Sequence, residues 1–248
     1  MDTLLPRTFL ALCLLMSACT DNQSTLTFKE RAARFNALNK EGTALCGKFA
    51  YREALDAYQS ALALCDRTAY PLPWSNTAKD AAWTLRQLGK HDQAEALYRE
   101  ILAHNEQSIG KDSPETLDTI DSLLSLLSLR NDLTESASLQ RRLVTIHEAN
   151  LARNTPEERN SGRDSRLLSS RLERLGVLLE SSQRFDEAEP LIRKALQVEV
   201  ACQIKTKTTN TGINSLQASY RTLLLKMGDT DEQAQEKIDK IMEPLSKK

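Results

Sequence analysis

Apolar residues recur at helical spacing along most of the chain. Ala78, Ala81, Ala82, Leu85 and Leu88 fall on one face when successive residues are placed about 100° apart. This spacing predicts an amphipathic helix that buries one face and exposes the other. Because alanine is small, a neighbouring helix could approach that face closely.

The composition favours the same all-α interpretation. Hydrophobic residues make up 40% of the 248 positions and charged residues 27%, which is typical of a folded body. Leucine and alanine, both good helix formers, supply most of the apolar content, while only 8 glycines and 7 prolines are available for turns. The net charge of −1 gives no electrostatic reason to expect a nucleic-acid partner.

Small and aromatic residues recur at matching positions in three segments, residues 42–62, 78–102 and 172–196. In the second segment, for example, Ala94 is followed four residues later by Tyr98. This arrangement resembles the tetratricopeptide repeat (TPR), a helix-turn-helix unit. The resemblance implies an all-α fold, an α-solenoid of about five such repeats in a right-handed superhelix. The expected repeats span approximately residues 28–66, 76–105, 114–151, 165–202 and 211–245, of which the third and the fifth match the pattern less well.

The repeats are longer than the usual TPR period of about 34 residues. Ala54, Ala94, Ser136 and Ala188 occupy equivalent positions at intervals of 40, 42 and 52 residues. With the segments Ser113–Thr116 and Glu187–Leu191, this spacing resembles the kinesin-light-chain subclass over roughly residues 76–200. That subclass usually carries paired asparagines on its first helices for peptide capture. Here those positions hold Lys79 and Asp80, Asp121 and Ser122, and Glu173 and Arg174, so its cargo recognition does not carry over.

The first residues have the features of a secretory signal. The apolar run Phe9–Met16 is far shorter than the roughly 20 residues that span a bilayer. The sequence Leu15–Cys19 resembles a bacterial lipobox, which implies cleavage after residue 18, diacylation of Cys19 and a polar tether over residues 19–27. Thr20 lacks the aspartate of inner-membrane retention, so the resemblance implies an outer-membrane lipoprotein facing the periplasm. The alternative is an ordinary secreted protein cut nearby.

A candidate protein-binding groove follows from the TPR resemblance, because first helices line the concave surface in that family. Trp83 points about 160° away from the centre of the apolar stripe on its helix. Its large ring beside charged residues suits an anchor for an extended peptide or helix. The alternative is that Trp83 packs on the first helix of the next repeat. The predicted groove residues are Asn76, Lys79, Asp80, Trp83, Arg86, Asp121 and Arg174.

Motifs of catalysis and of metal binding do not stand out. His147-Glu148 lacks the second histidine of a zinc-protease motif, and Gly110–Ser113 lacks the leading glycine of a P-loop. We therefore expect no enzyme, no catalytic residues, no metal and no cofactor. Cys46, Cys65 and Cys202 are expected to be buried free thiols, since the first two lie at opposite ends of one helix pair.

Three connectors interrupt the repeats. The apolar segment Tyr70–Trp74 is expected to form a loop that packs on the edge of the solenoid, or else a binding epitope. Residues 152–166 are expected to form a solvated excursion, and residues 203–212 a polar linker.

Together these features predict a membrane-anchored adaptor or scaffold that binds a protein or peptide of the cell envelope. It could serve the assembly of an envelope, pilus or secretion machine, and the sequence does not choose between them. The alternatives are a homo-oligomeric structural lipoprotein and, with less support, an envelope enzyme or small-ligand receptor. The oligomeric state is left open.

Overall fold

A computed structural model of the chain describes residues 26–153, 162–207 and 212–246. Within these ranges the secondary structure is entirely helical, and the predicted all-α fold of TPR-like repeats is confirmed. The predicted signal sequence, the predicted lipobox and Cys19 lie outside the described residues. In chain order the helices are α1 (Phe28–Gly47), α2 (Tyr51–Leu64), α3 (Pro71–Gln87), α4 (His91–Ser108), α5 (Pro114–Leu129), α6 (Leu133–Arg153), α7 (Arg163–Ser181), α8 (Phe185–Thr206), α9 (Gly212–Lys226) and α10 (Asp231–Ser246).

The chain divides into two compact units, Met1–Leu126 and Leu127–Lys248, with the division falling inside α5. In the first unit, α1 packs on α2 and α3 packs on α4, and α2 also contacts α3. In the second unit, α7 contacts both α6 and α8, while α9 and α10 follow on α8. The repeats are longer than the usual TPR period because their second helices are long. Helices α4, α6 and α8 have 18, 21 and 22 residues.

Small residues bring the helices of the first unit close together. Ala78 and Ala82 are completely buried, as the apolar stripe predicts, and so is Ala54 of α2. Gly42 of α1 faces the ring of Tyr58, and a β-carbon at residue 42 would lie 2.7 Å from that ring. Burial also raises the pKa of Tyr58 to about 12, while its hydroxyl lies 3.3 Å from the hydroxyl of Thr43.

In the second unit, too, a glycine allows two helices to pack closely. Gly176 of α7 lies against Ile192 of α8, and a β-carbon at residue 176 would come within 2.4 Å of Ile192 Cγ1. Ala188, one turn before Ile192, is completely buried. One buried polar pair accompanies this apolar contact, since the Ser169 hydroxyl donates a hydrogen bond of 2.8 Å to the carboxylate of Glu199. The close approach of α7 and α8 therefore depends on glycine at residue 176.

The turn between the two helices of a hairpin contains a residue with a left-handed backbone conformation. Gly89, with φ +72°, and Gly228, with φ +101°, fill this position in two turns, where glycine pays no steric penalty. Phe49, Asn131 and Gln183 hold it in the others, with φ between 56° and 60°.

The predicted loop over Tyr70–Trp74 is wrong. Helix α3 begins at Pro71, because a first-turn residue needs no intrahelical N–H bond and the proline φ already suits a helix. The first turn buries Trp74, whose ring lies 4.7 Å from the His104 ring in a T-shaped arrangement. Nearby, the Arg67 guanidinium lies 5.9 Å from the centre of the Trp74 ring. The segment is thus part of the second hairpin and not a connector.

The other two predicted connectors are shorter than expected. Helix α7 already includes Arg163–Arg166, and α8 continues to Thr206, so both ends of the polar segments are helical. The remaining residues of these segments, 154–161 and 208–211, lie outside the described ranges.

The three cysteines that the structure describes are free thiols. Only Cys202 is buried, whereas Cys46 and Cys65 are half-buried, so the prediction of three buried thiols is wrong for two of them. No helix in the described part of the chain is both long enough and apolar enough to cross a membrane.

Candidate protein-binding surface

Helix α3 presents a continuous exposed face in the first unit. Asn76, Asp80, Trp83 and Gln87 are exposed at intervals of three and four residues, which places them on one side of the helix. The alanines at residues 78, 81 and 82 occupy the opposite, buried side. The helical period thus separates a packing face from a face that is open to a partner, which we call the α3 face.

An exposed aromatic cluster lies at one edge of the α3 face. The Trp83 ring, 37% exposed, lies 5.9 Å from the half-buried Tyr51 ring of α2. Phe49 extends the group, with its ring 6.2 Å from that of Tyr51 and 77% exposed. Both contacts are T-shaped. The partner of Trp83 is therefore a residue of the preceding hairpin. We call Phe49, Tyr51 and Trp83 the aromatic cluster.

The sequence prediction missed Phe49, although the residue has two unusual properties. Its φ of 60° lies in the left-handed region, which costs a residue with a β-carbon roughly 1–2 kcal/mol. Its side chain nevertheless lies almost entirely in solvent. A comparison of the turns could have drawn attention to this residue. Phe49 lies two residues before α2, and Gly89 lies at the equivalent position, two residues before α4. Asn131 and Gln183 hold the same conformation in equivalent turns, so the property that sets Phe49 apart is a large apolar ring left in solvent.

Charged side chains surround the aromatic cluster on α3 and α5. The half-buried Lys79 forms an ion pair with Asp118 of α5, which links the two helices. The Asp80 carboxyl remains exposed at the surface, yet crowding by protein atoms raises its pKa and the Lys79 ammonium only partly offsets this effect. Arg86 lies one turn beyond the cluster and is half-buried. The α3 face therefore combines apolar rings with groups of both charges.

The neighbouring face of α5 is lined by small hydroxyl residues. The Ser122 hydroxyl donates to the Asp118 carbonyl and the Ser125 hydroxyl to the Asp121 carbonyl, each at 3.0 Å. These bonds within the helix satisfy the hydroxyls locally. Asp121 itself is half-buried. The exposed side of α5 next to the Lys79–Asp118 ion pair therefore carries short polar side chains.

The predicted groove residues are divided between the two units. Asn76, Lys79, Asp80, Trp83 and Arg86 lie together on α3, and Asp121 lies on α5 of the same unit.

Arg174, by contrast, lies on α7 in the second unit, where it is exposed next to the exposed Val177. Its neighbour Glu173 accepts a hydrogen bond of 2.8 Å from Ser219 of α9. Arg174 is thus part of an exposed face of the second unit.

Comparison with known proteins identifies the repeat. A family model described as the tetratricopeptide repeat matches residues 74–149, from the first turn of α3 into α6. The chain carries tetratricopeptide repeats. The match includes the weakly patterned third repeat, which the sequence alone supports less clearly than its neighbours. No curated protein matches the sequence.

Solved structures show the same TPR fold. One is a Podosopora anserina protein described as a kinesin light chain with nearly identical TPR-like repeats. It has a TM-score of 0.60 and 15% identity, over 87% of this chain and 98% of that one. Another is BtubC (BKLC) from P. vanneervenii, with a TM-score of 0.61 and 13% identity, over 97% of this chain and 90% of that one. At these identities the similarity shows the fold alone.

The TPR fold is typical of proteins that bind other proteins. TPR hairpins present exposed helix faces on a rigid support, and such faces bind segments of other proteins. Among the residues that the structure describes, no cluster of three or more histidine, cysteine or acidic side chains is arranged to hold a metal ion. The exposed rings and the paired charges of the α3 face are instead groups of the kind that recognise a peptide.

Proposed function

We propose that this TPR protein is a lipid-anchored periplasmic adaptor that binds a segment of an envelope protein at the α3 face and the aromatic cluster. The lipid is carried by Cys19 in the outer membrane, and the bound segment is an extended peptide or a helix. Such binding would serve the assembly of an envelope, pilus or secretion machine.

The aromatic cluster is the observation that supports this site most strongly. Aromatic residues are only 5% of the sequence, yet three of them meet here; Phe49 is strongly exposed and about a third of Trp83 remains open to solvent. Aromatic side chains bury a large area on binding and lose little conformational freedom, so they are frequent anchors at protein interfaces. Lys79, Asp80 and Arg86 around them can orient a partner through charge.

A peptide library offers the sharpest test, since the partner need not be known in advance. Linear peptides selected on the purified chain are titrated while tryptophan emission is recorded. The chain has two tryptophans, the buried Trp74 and the exposed Trp83, so a peptide at the aromatic cluster should change the emission of Trp83. Trp83→Phe should then abolish the change in emission while retaining an aromatic anchor.

The matched control for this titration is Ala96, an exposed residue of α4 in the same unit. Ala96→Arg should leave the affinity for the selected peptides unchanged. If Ala96→Arg weakened binding and Trp83→Ala did not, the binding surface would lie on α4 and the proposed site would be wrong.

The anchor is tested separately. Labelled palmitate should be incorporated into the wild-type chain and not into Cys19→Ala. Equal labelling of the two proteins would rule out lipidation at Cys19, and it would leave the peptide-binding site as proposed.

A homo-oligomeric structural role is the second candidate, and one observation favours it. Leu225 and Met227 at the end of α9 are 42% and 40% exposed, which gives the second unit an apolar surface of its own. Size-exclusion chromatography with light scattering separates the two functions. A dimer that Leu225→Lys converts into a monomer would favour the structural role, whereas a monomer at all concentrations favours the adaptor.

A further inference from the structure

A second group of exposed apolar side chains lies at the start of the folded body. The ring of Phe28, at the first position of α1, lies 5.9 Å from the ring of Tyr70, just before α3. Phe28 is 63% exposed and Tyr70 is 42% exposed. Leu72, in the first turn of α3, is 40% exposed. We call Phe28 and Tyr70, together with Leu72 two residues further along the chain, the N-terminal apolar patch; the aromatic cluster does not include it, although Leu72 lies one helical turn before Asn76 of the α3 face.

The N-terminal apolar patch is held in place where the chain enters the first unit. Thr27 caps α1 in a capping box, in which the Thr27 N–H donates to the Glu30 carboxylate at 2.9 Å and the Glu30 N–H donates to the Thr27 hydroxyl at 3.3 Å. On the other side, the Asp66 carboxylate accepts hydrogen bonds from the N–H groups of Thr68 and Ala69, which fixes the turn before Tyr70. The rings are therefore presented by ordered backbone.

The length of chain before Thr27 determines what this patch can reach. Eight residues, 20–27, separate the proposed lipidated Cys19 from Phe28. A segment of this length spans at most about 28 Å. A lipid anchor at Cys19 would thus keep Phe28 within one short tether of the bilayer surface.

The charges near this patch suit the surface of a bilayer. The first two turns of α1 expose three cations, Lys29, Arg31 and Arg34, against the single exposed anion Glu30. Aromatic rings with adjacent lysine and arginine are the residues that proteins place at the boundary between headgroups and acyl chains. The apolar side chains can enter that boundary while the cations meet anionic headgroups.

We propose that the N-terminal apolar patch inserts into the headgroup region of the bilayer that carries the lipid anchor, so that the first unit rests on the membrane. This inference rests on the proposed lipidation of Cys19. The lipid and the patch together give the chain two membrane contacts, of which the second is built into the fold. The second contact orients the first unit relative to the membrane.

Depth-dependent quenching in proteoliposomes tests the inference with a matched pair of residues. Leu72 and Leu225 are 40% and 42% exposed, and they lie in different units. Leu72→Trp and Leu225→Trp are prepared as full, lipidated chains, and each is reconstituted into vesicles of phosphatidylethanolamine and phosphatidylglycerol with brominated acyl chains. The emission of the added tryptophan is obtained by subtracting that of the parent protein.

We expect the tryptophan at residue 72 to be quenched about twofold more than the one at residue 225, because an interfacial side chain lies about 5–10 Å into the headgroup boundary. Adding Phe28→Ser and Tyr70→Ser should remove that difference while the circular dichroism spectrum stays helical.

Equal quenching at the two positions in a palmitate-labelled chain would overturn the membrane contact and leave the anchor intact. Acrylamide, a quencher dissolved in the water phase, is added in a second measurement. If neither brominated lipid nor acrylamide quenches the tryptophan at residue 72, a second copy of the chain covers the patch, and the proposal is contradicted. A chain without the palmitate label would disprove the anchor and this inference together.

Discussion

Replacing Phe49 by glycine should remove strain from the fold and, at the same time, remove a binding anchor. The Phe49 backbone has φ 60°, and its ring is 77% exposed. The left-handed conformation costs roughly 1–2 kcal/mol in a residue with a β-carbon. Glycine avoids that cost but loses about 0.5–1 kcal/mol of additional backbone entropy on folding. The net gain from the backbone is therefore about 0.5–1 kcal/mol.

The lost ring offsets part of this gain. Full burial of a phenylalanine side chain stabilises a protein by about 1.5–3 kcal/mol, so a ring that is largely exposed contributes about 0.5 kcal/mol. Phe49→Ala loses the ring and keeps the strain. We thus expect Phe49→Gly to be more stable than Phe49→Ala by about 0.5–1 kcal/mol and at least as stable as the parent chain. Urea denaturation followed by circular dichroism measures both differences.

Replacing Phe49 should weaken peptide binding even where it does not lower stability. Both Phe49 variants should bind a library-selected peptide about tenfold more weakly or worse, as expected for loss of an aromatic anchor. Gln183 is the matched control, because it is an exposed residue with φ 60° in the second unit. Gln183→Gly should give the same stabilisation with unchanged affinity. The reasoning is refuted if Phe49→Gly is less stable than Phe49→Ala, or if both bind peptide as tightly as the parent.

Three further substitutions test the packing and the site. Gly176→Ala should destabilise the second unit by about 1–3 kcal/mol, because the new β-carbon would overlap the side chain of Ile192. Gly47→Ala is the control and should have no such effect, since a β-carbon there would meet no atom within 4 Å. If Gly176→Ala and the parent chain had equal denaturation midpoints, the close approach of α7 and α8 would be wrong. Since the pKa of Tyr58 is raised to about 12, folding favours the neutral phenol, so stability is complete below about pH 10 and falls as the pH rises toward 12. Denaturation at a series of pH values should show a shallower fall for Tyr58→Phe, and identical slopes would contradict this account. Trp83→Ala should abolish peptide binding. Because the residue is only 37% exposed, it should also lower stability, by about 1–2 kcal/mol for the covered part of the side chain and about 0.5–1.5 kcal/mol for the aromatic pair; peptide binding retained at the parent affinity would contradict the assignment.

Packing within the hairpins was predictable because it depends on local residue size and on the helical period. The alanines at residues 78, 81 and 82 form a buried stripe at the predicted spacing. Gly176 falls at a small position of the repeat, and the structure supplies the neighbour that requires it. Residues one helical turn apart share a face regardless of the rest of the fold, so such inferences need no tertiary information.

The start of α3 was harder to predict, because prolines suit both loops and first helical turns. Pro71 and Pro73 can be read as breakers of secondary structure, and only the packing of Trp74 against His104 shows that they open a helix.

The aromatic cluster was predictable only in part. The outward direction of Trp83 follows from the period of its own helix, but its contact with Tyr51 joins residues of two hairpins. The role of Phe49 depends on a backbone dihedral angle that no hydrophobic pattern encodes.

Site-specific photo-crosslinking in intact cells tests the central claim most directly. A photoreactive amino acid is placed at Gln87, which is exposed on the α3 face, and separately at Ala96, which is exposed on α4 of the same unit. We expect a discrete adduct with an envelope protein from residue 87 that is lost in Phe49→Ala, and no such adduct from residue 96. An adduct from residue 96 alone, or adducts at residue 87 that survive the loss of both Phe49 and Trp83, would contradict the assignment of the α3 face and the aromatic cluster as the binding surface.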